Sequence, residues 1–245
     1  MGIDDIKKTF ASVSDLLSDW LRFLRRPFAS CEQELSSQST DDGKIKRAVS
    51  IWVTSFIISL IILLPLYSLM GIRLENLEFQ LPACVILFLS FLSSCAVIHV
   101  GLRWSKIDSQ FADTFLIQAI TLSTYTPLLY IIAYPSNYRV MSVLKDAKVR
   151  HLGFGETLQA MFAQPIHPSA YDTATQAYAG IFMFLAIVPV AIFAEAASRH
   201  YAVKRSRVLS SLSFSTVVGG ILPSAILSAL YFFVIYTFTV DSSSK

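Results

Sequence analysis

Residues 49–71 read VSIWVTSFIISLIILLPLYSLMG and contain no charged side chain. The hydrocarbon core of a membrane is about 30 Å thick, and a helix of about 20 apolar residues crosses it. Four more stretches are similarly apolar, with Glu195 as their one charged residue: residues 81–101, 114–134, 177–197 and 208–240. Together they predict an all-α, polytopic transmembrane bundle of five spans, because a soluble protein of 245 residues could not cover so much apolar surface.

The composition agrees with this class of fold. Hydrophobic residues make up 54% of the chain and charged residues only 15%, which is typical of a membrane protein. We expect two regions: residues 1–48 form a cytoplasmic N-terminal region, and residues 49–240 form the membrane domain. The membrane domain includes a loop at 135–176, in which the segments Asn137–Leu152 and Gly155–Ala163 are predicted to be helical.

The basic residues predict an orientation, because loops rich in Lys and Arg stay on the cytoplasmic side. Fourteen of the 20 Lys and Arg residues lie in the N-terminal tail or in the loops after the second and fourth spans. The N-terminus is therefore predicted inside and the C-terminus outside, in a bacterial inner membrane or, as the alternative, a eukaryotic endomembrane. The four basic residues of the 135–176 loop argue against its export. A re-entrant span would move that loop and all that follows to the other side.

The N-terminal region contains the pattern of an amphipathic helix, with apolar residues three or four positions apart. These residues are Ile6, Phe10, Val13, Leu17, Trp20, Leu21, Leu24 and Phe28. Pro27 should end the helix. Such a segment either lies in the membrane interface or docks on another helix. The polar composition from Ser30 to Asp42 predicts a flexible connection to the first span.

Spans in a membrane associate through small residues and polar contacts rather than through the hydrophobic effect. The fifth stretch contains a row of small residues that predicts a helix-packing seam: Gly219, Gly220, Ser224 and Ser228. Prolines in or near four of the spans predict bends, which survive in a membrane where protein or water satisfies the freed carbonyl groups. The bent helices could simply fit one another, or they could frame a polar cavity.

Ionisable residues gather at the predicted span ends that face the cytoplasm, where an unpaired charge would be costly. Together with the amide of Gln118 they form a candidate polar site that comprises Glu195, Asp113, Gln118, Arg103, His99 and Arg199. Arg103 could pair with Asp108 or Asp113, and Glu195 could pair locally with Arg199. Alternatively, Glu195 and Asp113 could bind a proton or cation, with Gln118 deeper in the bilayer.

No motif for catalysis, phosphate binding or zinc binding occurs in the chain, so we expect no enzyme activity, cofactor or metal. No basic stripe interleaves with aromatic residues, and we therefore expect no nucleic-acid partner. The net charge of +3 follows mostly from the bias of basic residues toward one side. The expected partners are the lipid bilayer and other membrane proteins or a second copy of the chain.

The layout and one segment resemble the Yip1 domain family of five-span membrane proteins. The segment is residues 99–130, HVGLRWSKIDSQFADTFLIQAITLSTYTPLLY: a His at the membrane exit, a short polar hairpin with a Phe, and Thr-Tyr-x-Pro in the next span. The N-terminal helix ending in RRPF adds to the resemblance, which covers most of residues 20–240. It implies a non-enzymatic membrane protein. Eukaryotic members take part in vesicle trafficking and contact small GTPases, and bacterial members lie in the inner membrane.

These observations predict an integral membrane accessory or scaffolding protein. The alternative is a small transporter or lipid-handling permease, with Glu195, Asp113 and Gln118 lining a cavity between bent spans. The surroundings of the two acids distinguish these functions. A transport site leaves a carboxylate facing open space, whereas a structural site pairs it with basic side chains.

Overall fold

A computed structural model describes residues 3–69, 77–132, 134–162, 181, 187–215, 230, 233 and 237. Within these ranges the secondary structure is helical and contains no strand. The helices are α1 (Ile3–Arg25), α2 (Pro27–Ser37), α3 (Asp41–Leu69), α4 (Leu77–Trp104), α5 (Phe111–Gln118), α6 (Thr124–Ile132), α7 (Tyr134–Arg150), α8 (Phe154–Phe162), α9 (187–200) and α10 (Arg205–Ser215). A π-helical turn, Ala119–Ser123, joins α5 to α6.

Three of the described segments are long and apolar enough to cross a membrane: Asp41–Leu66, Cys84–Trp104 and Phe111–Ile132. They correspond to the first three predicted spans and indicate a membrane-embedded protein. The fourth and fifth stretches are described only in part, where residues 187–200 and 205–215 are helical. The predicted packing residues Gly219, Gly220, Ser224 and Ser228 lie outside the described residues.

The prediction of a flexible connection from Ser30 to Asp42 is wrong, because α2 covers most of it. Pro27 occupies the first turn of α2, where the missing N–H is not needed. α3 then begins at Asp41, and the Gly43 amide donates to the Thr40 hydroxyl at 3.2 Å. That bond is an N-cap, which starts the helix two turns before the apolar run.

The chain divides into two compact units. The first unit consists of Met1–Ser59, Cys95–Leu128 and Ala186–Val218. The second consists of Leu60–Ser94, Leu129–Leu185 and Gly219–Lys245, and includes the two predicted loop helices, which are α7 and α8. The polar contacts described below all lie within the first unit.

The three apolar segments differ in how much surface they bury. In the most apolar part of the third segment 56% of the residues are buried. The corresponding share is 28% in the first segment and 22% in the second. The first segment exposes a stripe that consists of Val53, Ile57, Ile61 and Leu64. Exposed apolar stripes of this kind are what lipid-facing helices present. The third segment is therefore the most buried of the three.

α4 and α9 both end in a left-handed residue that is not glycine. Lys106 has φ 57° and Ala202 has φ 51°. At each site the following amide bonds back five residues, from Ile107 to the Leu102 carbonyl and from Val203 to the Ser198 carbonyl, each at 3.0 Å. This is the Schellman arrangement, which ends a helix abruptly and satisfies its last carbonyl groups.

Gly101 marks a close contact between α4 and α10. A Cβ atom at this position would lie 1.7 Å from the Ser215 hydroxyl and 3.0 Å from the Ser211 carbonyl oxygen. Ser211 is fully buried, and Ser215 is nearly so. α10 therefore approaches α4 through small residues, as membrane helices commonly do, at a position that precedes the predicted seam.

Candidate functional site

Asp113 lies at the centre of a buried ionic cluster in the first unit, and only 6% of its surface is exposed. One carboxylate oxygen lies 2.6 Å from the Lys44 ammonium nitrogen. The other lies 3.1 Å from Nε2 of His200. The cluster therefore joins three elements, α3, α5 and the end of α9, through a single carboxylate.

The local folding of each element explains how these side chains meet. The Thr40 cap places Lys44 within the first turns of α3. The Schellman turn at Ala202 stops α9 immediately after His200 and Tyr201. The Tyr201 hydroxyl then lies 3.1 Å from the hydroxyl of Thr114, the neighbour of Asp113. Burial raises the pKa of the Tyr201 phenol well above its usual value, so the phenol stays neutral and can donate or accept a hydrogen bond.

Glu195 belongs to a second cluster, whose partners are close in sequence. Arg199 Nε donates to the Glu195 carboxylate at 2.7 Å, and Arg205 contacts the other oxygen. The predicted Glu195–Arg199 pair is thus confirmed. The Arg199 guanidinium also lies over the Phe28 ring, 4.9 Å from its centroid, and within 3.8 Å of Glu32. This cluster links α9, α10 and α2 at a more exposed position than that of Asp113.

A third ionic cluster fixes the N-terminal helices to the first apolar segment. The Glu34 carboxylate is buried and accepts from Arg22 at 2.6 Å and from Arg47 at 2.9 Å. Arg47 also donates to Asp19 at 2.6 Å. Because Glu34 lies on α2 and Arg47 on α3, these bonds hold α1 and α2 against the start of the span. Burial in the same region raises the pKa of the Cys31 thiol to about 12.

The remaining predicted site residues occupy separate environments. Arg103 pairs with Asp108 at 2.6 Å, on an exposed turn, rather than with Asp113. His99 Nδ1 lies 3.3 Å from the Ser109 hydroxyl, and its ring meets Phe111 edge-on. Gln118 is buried in α5, with 1% of its surface exposed. The single polar site that the sequence predicts is therefore divided in the structure. Its contacts form three separate sets, around Asp113, around Glu195 and around the α4–α5 turn.

The buried third segment carries an unusual number of polar side chains for an apolar helix. Those buried are Asp113, Thr114, Gln118, Thr121, Ser123 and Thr124. The π-helical turn begins after Gln118, and the Thr124 amide bonds to the Ala119 carbonyl. Such turns shift the face that the following residues present, and they are frequent at functional sites. Pro127 lies just beyond, where it has no amide to offer the Ser123 carbonyl.

α1 contacts the third segment next to this irregular stretch. The Trp20 indole N–H donates to the Thr124 carbonyl at 3.0 Å. The Tyr125 hydroxyl donates in return to the Leu24 carbonyl at 3.3 Å, near the end of α1. Trp20 thus bonds to the carbonyl next to the one that Pro127 deprives of a donor, and Tyr125 satisfies a carbonyl near the end of α1.

An open cleft of about 460 Å³ lies between the α4–α5 turn and the start of α10. Its lining comprises Ser105, Ala202, Val203, Lys204, Ser206, Arg207 and Ser210. Arg207 donates to the Ser105 carbonyl at 2.9 Å and to the Lys106 carbonyl at 3.3 Å, and so caps the end of α4. None of the six predicted site residues lines this cleft.

The residues that the sequence did not assign to the site are Lys44, Glu34, Arg47 and Arg205. The sequence does place His200 with Glu195 and Arg199 at the end of the fourth predicted span, but it predicts no contact of His200 with Asp113. Lys44 and Arg47 lie in the first turns of α3, which begins eight residues before the predicted span. The Thr40-Asp41-Asp42 start was the signal that could have placed them on a helix. Comparison with known proteins gave no match to a protein-family model, a curated protein or a solved structure.

Proposed function

We propose that this chain is a non-enzymatic accessory or scaffolding protein of a membrane assembly, as its resemblance to the Yip1 domain family implies. We place it in a bacterial inner membrane, where bacterial members of that family lie, and the distribution of Lys and Arg supports a cytoplasmic N-terminus and an outer C-terminus. Its partners in this proposal are other membrane proteins or a second copy of the chain. The three long apolar helices support the coarser part of the proposal, membrane embedding.

The observation that supports a structural role is that both acids of the predicted site, Asp113 and Glu195, are paired with basic side chains. Asp113 faces Lys44 and His200, and Glu195 faces Arg199 and Arg205. A carboxylate already held by two basic groups offers little to a cargo, and removing one partner leaves the other charge uncompensated. The open cleft between α4 and α10 contains neither acid. These contacts favour a role for both acids in holding the helices together over a role in ion transport.

A transporter or lipid-handling permease is the second candidate, and the polar third segment favours it. Asp113, Gln118 and Thr121 follow one another along a buried helix that contains a π-helical turn and a proline. Polar residues inside membrane helices often line a pathway for ions or protons. In this reading the Asp113–His200 contact would open and close during transport.

The experiment that separates the two functions is reconstitution together with affinity purification. The purified protein in liposomes should conduct no ion or small solute, and partners should co-purify from mild detergent. Glu195→Gln should leave that assembly intact. Flux by the purified chain alone, abolished by Glu195→Gln or Asp113→Asn, would establish the transporter. Reporter fusions at the two termini test the orientation separately.

A further inference from the structure

The second half of α1 has two different apolar faces. Trp20 and Phe23 are buried, with 9% and 1% of their surfaces exposed. Leu16, Leu17 and Leu21 are 36%, 47% and 39% exposed. Leu17 and Leu21 are four residues apart and so lie on one side of the helix. The sequence predicts a single apolar face, whereas the structure turns one part of it inward and leaves the leucines uncovered.

The buried face of α1 is fixed to segments that are themselves membrane-span candidates. Trp20 bonds to the Thr124 carbonyl, in the interior of the segment Phe111–Ile132. Leu16, Trp20 and Phe23 line a narrow cleft with Ser50, Ile51 and Thr54 of α3, inside the segment Asp41–Leu66. α1 therefore lies beside the apolar part of the bundle instead of beyond its end.

The polar residues on the edges of α1 are compatible with that position. Asp19 pairs with Arg22 and Arg47, and Arg22 pairs with Glu34. Charges that are paired within the protein can approach a lipid phase at much lower cost than unpaired ones. Ser14, Asp15 and Ser18 are exposed and can face the headgroups and water.

α3 also exposes apolar side chains at the end of its contact with α1 and in the turn that follows. Val53 and Ile57 are 38% and 49% exposed on the helix against which α1 packs. We propose that Leu17 and Leu21 contact lipid acyl chains, so that α1 lies in one leaflet with protein on one side and lipid on the other. The leucines are then inserted into a single leaflet, as the apolar face of an interfacial helix is. This inference requires a membrane but not the scaffolding role.

The test uses the full chain in vesicles of phosphatidylcholine and phosphatidylglycerol, with the acyl chains of the lipid brominated in one preparation. Cys31, Cys84 and Cys95 are first replaced by Ala, and single cysteines are introduced as Leu17→Cys or Leu21→Cys. Each cysteine carries a nitrobenzoxadiazole fluorophore. The matched control is Asp108→Cys, whose side chain is 99% exposed on the α4–α5 turn.

We expect both α1 positions to emit at shorter wavelength than the control and to lose at least half of their intensity in brominated lipid. The control should lose little. A water-like emission with full accessibility to aqueous iodide would overturn the proposal. A shifted emission without quenching by brominated lipid would also overturn it, because a protein surface would then cover the stripe. The use of two positions guards against one label that disturbs folding, and solute flux in the transport assay does not bear on the result.

Discussion

The two acidic residues that the sequence singled out lie in the same unit, yet their surroundings differ. Asp113 is buried and bonds to side chains from α3 and from the end of α9, which are far from it in sequence. Glu195 is half-buried, and its partners lie four and ten residues further along the chain. The first acid joins distant elements, whereas the second joins neighbours. The consequence of removing a charge should therefore depend on its position rather than on the number of its ion pairs.

The largest effect is expected for Asp113→Asn. This change leaves the Lys44 ammonium, whose side chain is only 14% exposed, without its counterion. Loss of one partner of a buried pair costs about 3 kcal/mol. The free energy of unfolding, measured by titration with sodium dodecyl sulfate in mixed micelles, should fall by about that amount. The isosteric control Glu195→Gln should change it little, because the side chains of Arg199 and Arg205 are 52% and 61% exposed to solvent and Glu32 also lies within 3.8 Å of Arg199.

Equal losses for the two variants would contradict the distinction between an interior and a peripheral acid. A double variant, Asp113→Asn with Lys44→Met, sharpens the result. It removes both charges of the pair and should recover part of the stability, because a buried pair can be replaced by apolar groups of similar size. No recovery would mean that His200 is the partner on which Asp113 depends.

The next effect is expected at the glycine contact of α4 with α10. Gly101→Ala places a methyl group against Ser215 and the Ser211 carbonyl, so the helices must move apart. Overpacking of this kind costs about 1 to 3 kcal/mol in the same titration. Gly155→Ala, at a glycine of α8 with open space around it, is the matched control and should be neutral. A neutral Gly101→Ala would show that α10 is free to withdraw.

A smaller loss is expected for the tryptophan that docks α1. Trp20→Phe removes the indole donor and leaves the Thr124 carbonyl buried without it. The expected loss is about 1 to 2 kcal/mol. Trp104→Phe is the control, because that side chain is 73% exposed. Limited proteolysis should cut near residues 25–40 faster in Trp20→Phe than in Trp104→Phe, and equal rates would argue that α1 is held by its ionic contacts alone.

The smallest effect, and the only gain, is expected at the end of α9. Ala202 has φ 51°, a conformation that glycine adopts without strain. Ala202→Gly should therefore stabilise the protein by about 0.5 to 1 kcal/mol. The melting temperature in detergent, followed by circular dichroism, should rise slightly. A decrease would show that the methyl group of Ala202 contributes to the placement of His200 and Tyr201.

The length of apolar runs was enough to predict three helices, because a span is specified by composition over about 20 residues. Their ends were less predictable. α3 begins at Asp41, eight residues before the predicted span, since the first turns are capped and carry Lys44 and Arg47. α2 was missed because its polar composition resembles a linker. Its order depends on the contacts of Glu34 with Arg22 and Arg47, from two other helices.

The polar site shows the same limit. The Glu195–Arg199 and Arg103–Asp108 pairs were predictable, because their members are four and five residues apart. The Asp113 contacts were not, because Lys44 and His200 approach it only after three elements have packed. Likewise, sequence alone left open whether α1 lies in the interface or docks on a helix. Trp20 and Tyr125 show that it docks, while Leu17 and Leu21 remain exposed.

By itself, then, the sequence determined the helical class, three long apolar segments and the ion pairs within one or two turns. Helix periodicity, apolar length and local charge spacing are properties of short stretches, and they are readable without knowledge of the fold. Only the tertiary structure decided which acid is buried, which basic residues neutralise it and which face of α1 is covered. Those features depend on packing between elements up to about a hundred residues apart, as the Trp20–Thr124 bond shows.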